Sequence, residues 1–162
     1  MRNKHLVWLL PLLLCAAAVG VVAAPVQGAG PLTVTTASDS IADDGFCSLR
    51  EAVIAANTDS SFHDCPAGSG ADTIVFDAAL PRPVVITLTL SGADEDAAAT
   101  GDLDVTGTLA IVGETPDPVV IDGAAADRVF EALQGSTVGI SGVAIRHGSA
   151  PAGTNGGGAL VD

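Results

Sequence analysis

From residue 72 onward the chain is a succession of short runs of Val, Ile, Leu and Thr, each closed by Gly, Pro or Asp, with no amphipathic helix between them. The runs fall at 73–76, 84–90, 103–105, 109–112, 119–121, 129–133, 138–140 and 143–145, and another opens at 159–161. Short β-branched runs bounded by turn formers read as strands. A βαβ sheet needs a helical crossover between successive strands, so that class is set aside. Two all-β architectures remain: an antiparallel β-sandwich and a solenoid of parallel strands.

An internal repeat favours the solenoid. Gly107-Thr108-Leu109-Ala110-Ile111-Val112-Gly113 aligns with Ser136-Thr137-Val138-Gly139-Ile140-Ser141-Gly142, an offset of 29 residues. Both read apolar, small, apolar, and both end at a glycine corner. A third copy opens at Gly158-Ala159-Leu160-Val161, about 22 residues after the second. Unequal spacings suit coils that carry variable loops on a constant strand frame.

Before the strands comes a leader. Met1-Arg2-Asn3-Lys4 is basic, the stretch 6–22 is apolar apart from Pro11 and Gly20, and small residues follow at Ala23, Ala24, Gly28 and Ala29. This is the charge, hydrophobicity and small-residue order of a secretory signal peptide, with cleavage between Ala24 and Gly30. An uncleaved anchor is the alternative, at the lower length limit for spanning a bilayer. A lipid-modified Cys15 is disfavoured because Leu14, not a small residue, precedes it.

Export removes Arg2 and Lys4, leaving four arginines against nineteen acids, a formal net charge near −15. Such a surface repels phosphate backbones and anionic lipid, which argues against nucleic-acid binding and against membrane association beyond the signal peptide. It attracts divalent cations. Two cysteines remain, Cys47 and Cys65, and an even pair in an exported chain reads as a disulfide. A zinc site using Cys47, His63 and Cys65, with Asp64 or a distant residue as a fourth ligand, is the rival reading.

A short strand is expected at 32–36. Ser48-Leu49-Arg50-Glu51 is a capping box, in which Ser48 and Glu51 satisfy each other's backbone N–H groups. Leu49, Ala52, Val53 and Ala56 then recur at helical spacing and Asn57 offers an end, so one short amphipathic helix is expected. Arg50 in its first turn calls for a nearby acid, Asp43 or Asp44.

Cys47-Ser48-Leu49-Arg50-Glu51-Ala52, continued by Val53-Ile54-Ala55-Ala56-Asn57 and by Gly70-Ala71-Asp72-Thr73-Ile74-Val75-Phe76, resembles the CSLREA domain. That domain is an N-terminal module of large bacterial surface and secreted proteins and precedes right-handed parallel β-helix repeats of the pectin-lyase-like kind. With the signal peptide at 1–29, the resemblance implies a CSLREA-like N-terminal cap at 30–77 and the first coils of a parallel β-helix at 78–162. Leu49, Val53 and Ala56 would face the first coil and cover its open end. The glycine corner and strand at 156–161, with no second capping element after them, imply that these coils belong to a longer repeat protein.

Chemical motifs are sparse. The chain contains no G-x-S-x-G elbow, H-E-x-x-H pair or phosphate-binding loop. His63 and His147 read as loop and turn residues. Arg128 and Arg146, with Asp122 and Asp127, match in type the arginine and calcium-binding aspartates of pectin-lyase-like enzymes. Asp122-Gly123 also reads as corner chemistry, and Arg128 as the partner of Asp127 or a neighbouring acid. Asp94, Glu95 and Asp96, followed by Asp102 and Asp104, offer hard carboxylate oxygens of the kind calcium takes, so calcium is the one cofactor considered. Phe46, Phe62, Phe76 and Phe130 are expected in the core or under the cap, without the Trp or Tyr of a carbohydrate platform. The expectation is an extracytoplasmic, structural or adhesive β-helix segment, meeting extracellular polysaccharide or a cell-surface ligand. The alternative is the N-terminal part of a polysaccharide lyase or hydrolase.

Overall fold

The computed structural model describes residues 30–92, 95–114, 116–150 and 157–161. The described residues form an all-β arrangement of parallel sheets with one helix. Strands β1 (Leu32–Val34), β2 (Ala71–Phe76), β5 (Thr108–Val112) and β8 (Thr137–Ser141) form one sheet in that order. A second holds β3 (Val85–Thr87), β6 (Val119–Asp122) and β9 (Val143–Arg146). The third holds β4 (Leu103–Val105), β7 (Phe130–Ala132) and β10 (Ala159–Val161). From β2 onward the chain visits the three sheets in strict rotation, and every pairing between these strands is parallel. The antiparallel sandwich is therefore not this structure. The antiparallel bridge found among the described residues, Phe62 to Cys65, lies in the loop outside the sheets.

Register explains the core. Side chains alternate along a strand, so a parallel in-register stack places like residues above one another. Leu32 lies beside Ile74, Ile74 beside Ile111, and Ile111 beside Ile140, while Ile86, Ile121 and Ile145 form a similar column in the second sheet. Leu32, Ile74, Ile111, Ile86 and Ile121 are fully buried, each contributing about 1.5–3 kcal/mol of apolar burial. Ile140 and Ile145 pack on the same core but are only partly buried.

The 29-residue repeat is a stacking register, because Thr108 to Val112 pair one to one with Thr137 to Ser141. The third copy falls elsewhere: Ala159 pairs with Phe130, not with β8, so it joins the third sheet. Where β5 and β8 end, the two chain segments touch through glycine. A Cβ on Gly113 would sit 2.0 Å from the carbonyl oxygen of Gly142, and Gly142 itself has φ +63°. Neither position has room for a side chain.

Helix α1 (Leu49–Thr58) packs against β1, β2 and β4. Leu49, Val53 and Ala56 are buried, as expected of residues facing the strands. The helix runs past Asn57 and is closed by Asp59 in the left-handed region, whose N–H reaches the carbonyls of Ala55 and Ala56. A disulfide joins Cys47 to Cys65 across 18 positions with Cα atoms 4.9 Å apart, so neither sulfur is available to zinc. Closing a loop of this length stabilises the fold by roughly 3 kcal/mol on the chain-entropy estimate. No helix among the described residues is long and apolar enough to cross a membrane.

Candidate functional site

The residues 47–52 form a buried hub. Thr35 and Cys47 exchange two bonds, from Thr35 N–H to the Cys47 carbonyl at 2.9 Å and from Cys47 N–H to Thr35 Oγ1 at 2.8 Å. The Ser48 hydroxyl accepts from Glu51 N–H at 3.2 Å and donates to the Ser40 carbonyl at 2.7 Å. The Glu51 carboxylate accepts from Ser48 N–H and from Ala42 N–H, both at 2.8 Å. The predicted capping box is present, and it also ties the 40–42 loop to the helix.

Arg50 is fully buried and uses all five of its N–H donors. Nε and Nη2 reach the two oxygens of Asp39 at 2.7 and 3.2 Å. Nη1 donates to the carbonyls of Ala98 and Asp102 at 2.9 and 3.2 Å, and Nη2 to that of Gly101 at 2.9 Å. Asp39 in turn accepts from Thr89 and Leu90 N–H at 2.6 and 2.9 Å. The partner is thus Asp39, not Asp43 or Asp44. Asp43 pairs instead with His63, and Asp64 accepts from Gly45 N–H. One side chain of the helix thereby fixes the loop leading into β4 and, through Asp39, the segment following β3. At the other end of the helix, Asn57 donates to the Asp104 carbonyl at 2.7 Å and accepts from Thr106 N–H at 3.0 Å.

Beneath that loop lies an acidic cluster. Asp104 on β4 and Glu131 on β7 are register partners, and with Asp102 each brings a carboxylate oxygen within 4.8 Å of the others. Like charges directly opposite one another in a sheet repel. Arg128 offsets part of this, bonding Asp102 through Nε at 2.9 Å and pairing with Glu131 through Nη2. Asp104 has no solvent exposure; its Oδ2 accepts from Ala98 N–H at 3.0 Å, while its Oδ1 has no hydrogen-bond partner. Burial pushes the Asp104 carboxyl up to about 7 against the lowering effect of the Ala98 N–H, with Asp102, Glu95 and Glu131 adding to the rise.

The calcium set expected from sequence is only partly brought together. Asp102 and Asp104 are in the cluster. Glu95 lies nearby, but its carboxylate is turned to the N–H groups of Ala97 and Thr100 at 2.9 and 2.8 Å, shaping the loop. Asp96 is not among the converging groups, and Asp94 lies outside the described residues. Sequence reading missed Glu131. The signal that finds it is register: Glu131 stands on the strand next to that of Asp104, and only strand pairing places the two opposite.

The other candidates resolve as corner contacts. Asp122 accepts from Ala124 N–H at 2.9 Å, from Arg146 Nε at 2.9 Å, and lies 3.1 Å from His147 Nδ1. The Ala124 N–H, against the opposing effect of burial, and then His147 and Arg146 hold the Asp122 carboxyl below its ordinary value. Arg128 does not bond the Asp127 side chain through its guanidinium; Asp127 accepts its backbone N–H instead. Of the phenylalanines, Phe76 and Phe130 are buried and Phe62 is partly buried, but Phe46 is 51% exposed. A cavity of about 260 Å³ lies between Leu88, Leu90, Gly101, Gly123 and Arg128. It is smaller than the roughly 300–1,000 Å³ of pockets that enclose an organic ligand. The chain matches no protein-family profile, no curated protein and no solved structure.

Proposed function

We propose that this chain is an exported protein in which a disulfide-pinned helix caps the first coils of a right-handed parallel β-helix, with a structural or adhesive role at the cell surface or in the secreted space. The observation that carries this reading is the Arg50 hub. A side chain from the helix is spent wholly on backbone and carboxylate groups of the first strands and their loops, which is what a cap must do. Strict rotation through three parallel sheets supports the coil reading, and the likeness to the CSLREA domain supplies the handedness. The disulfide and the leader at 1–29 both fit an oxidising compartment outside the cytoplasm. In this reading residues 30–77 are the cap and 78–162 the coils, and the partners are extracellular polysaccharide or a cell-surface ligand.

The test is deletion of residues 47–57 from the full chain expressed with its own leader. The intact chain should be recovered outside the cytoplasm, lacking its leader and soluble. The deleted chain should reach the same compartment and aggregate, because an uncovered first coil presents open strand edges and apolar surface. A soluble, cooperatively folding deletion would overturn the cap reading. Release of unsaturated sugars from acidic polysaccharides by the intact chain would overturn the structural one in favour of a lyase.

A further inference from the structure

We infer that Asp102, Asp104 and Glu131 form a buried binding site for one calcium ion that clamps β4 to β7. Three observations converge. First, three carboxylates from two adjacent coils place oxygens within 4.8 Å of one another. That spacing suits a single ion at calcium–oxygen distances of about 2.3–2.6 Å, which magnesium at about 2.0–2.1 Å meets less readily. Second, the charges call for a divalent ion: three carboxylates and the Arg128 guanidinium sum to two negative charges if all are ionised. Arg128 already pairs with Asp102 and Glu131, which leaves Asp104 as the one of the three with no cationic partner among the described residues. Third, Asp104 Oδ1 is enclosed and has no hydrogen-bond donor, although burying a polar oxygen without a partner costs roughly 1–3 kcal/mol. A cation is a partner this oxygen can take without any other side chain moving in.

The surroundings fit such a role. The loop carrying Ala98 lies over Asp104 and is held in shape by Glu95, while Arg50 holds the carbonyls of Ala98, Gly101 and Asp102. The site thus sits where the helix, the loop and two coils meet. An ion there would fix the first coil to the second. Oxygens beyond one per carboxylate would come from bidentate coordination or water, as is ordinary for calcium.

The test uses protein purified after expression of the full chain with its leader, stripped with a chelator and dialysed. Titration with calcium chloride in a calorimeter should give one site per chain, and saturating calcium should raise the thermal midpoint followed by circular dichroism. Asp104→Asn, which keeps the shape of the side chain, and Glu131→Gln should each weaken calcium at least about tenfold, since affinity at such sites follows the carboxylate count. Asp96→Asn, outside the cluster, should bind as the parent does. Should one of the cluster variants fail to fold, the other and the parent still decide. Absence of both heat and a thermal shift in the parent at millimolar calcium overturns the site. An unchanged calcium response in Asp104→Asn or Glu131→Gln overturns it equally, by locating binding elsewhere on the acidic surface.

Discussion

Replacing Arg50 by Ala should unfold most of what the helix organises. The guanidinium and Asp39 are a buried ion pair, with side chains 0% and 1% exposed. Removing one partner of such a pair costs about 3–5 kcal/mol because the other charge is left buried. Asp39 would retain the Thr89 and Leu90 N–H donors, which limits the loss on that side. On the other side the carbonyls of Ala98, Gly101 and Asp102 lose their donor together, and hydrogen bonds to a charged group contribute about 1.5–3 kcal/mol each but not additively. A total near 4–5 kcal/mol is expected, against domain stabilities of about 5–15 kcal/mol. Arg50→Lys keeps the charge on one atom with three donors and cannot reach acceptors on both sides, so about 2–3 kcal/mol is expected from it. Asp39→Asn in the Arg50→Ala background should recover about 1–3 kcal/mol relative to additivity, because the orphaned charge is gone. Urea unfolding followed by far-ultraviolet circular dichroism is the assay, since the sole Trp, Trp8, lies outside the described residues and the chain has no Tyr. An Arg50→Ala protein within about 1 kcal/mol of the parent, with a single cooperative transition, would refute the hub.

The remaining predictions concern the cap, the staple, the corners and acid. Ser48→Ala removes both an acceptor for Glu51 N–H and a buried donor to the Ser40 carbonyl, and should cost about 1–2 kcal/mol in the same urea assay. Cys47→Ser with Cys65→Ser should lower stability by roughly 3 kcal/mol, and the parent should lose a similar amount on reduction. Gly113→Ala drives a methyl to 2.0 Å from the backbone oxygen of Gly142 and should lower stability by about 2 kcal/mol or more, whereas Gly135→Ala meets no atom and should show only the strain of its positive φ. The folded Asp122 carboxyl lies below its ordinary value of 3.8, so its stabilising effect is complete above that value and is lost as pH falls through the lower folded one. Asp122→Asn should therefore show a shallower loss of stability on acidification below about pH 4 than the parent does, read as the denaturation midpoint at each pH.

What the sequence determined by itself is local. Alternation of apolar and polar residues marks the strands, because a pleated strand turns successive side chains to opposite faces. The capping box marks the start of the helix through a contact three residues long, and the 29-residue repeat marks one stacking offset, realised as the pairing of β5 with β8. The tertiary structure decided everything that depends on which strand lies beside which. Partners on neighbouring strands stand 42 residues apart at Leu32 and Ile74, but 24 apart at Val119 and Val143. With loops so variable, no fixed offset predicts that the strand at 159–161 lies on β7 and not on β8, or that Glu131 comes opposite Asp104. Arg50 shows the same limit from the other side. Its need for an acid follows from a cation placed at a helix start, but Asp39 and not Asp43 or Asp44 meets that need. The choice is made by burial, since only Asp39 lies where the helix, the β3 exit and the β4 entry close around one guanidinium.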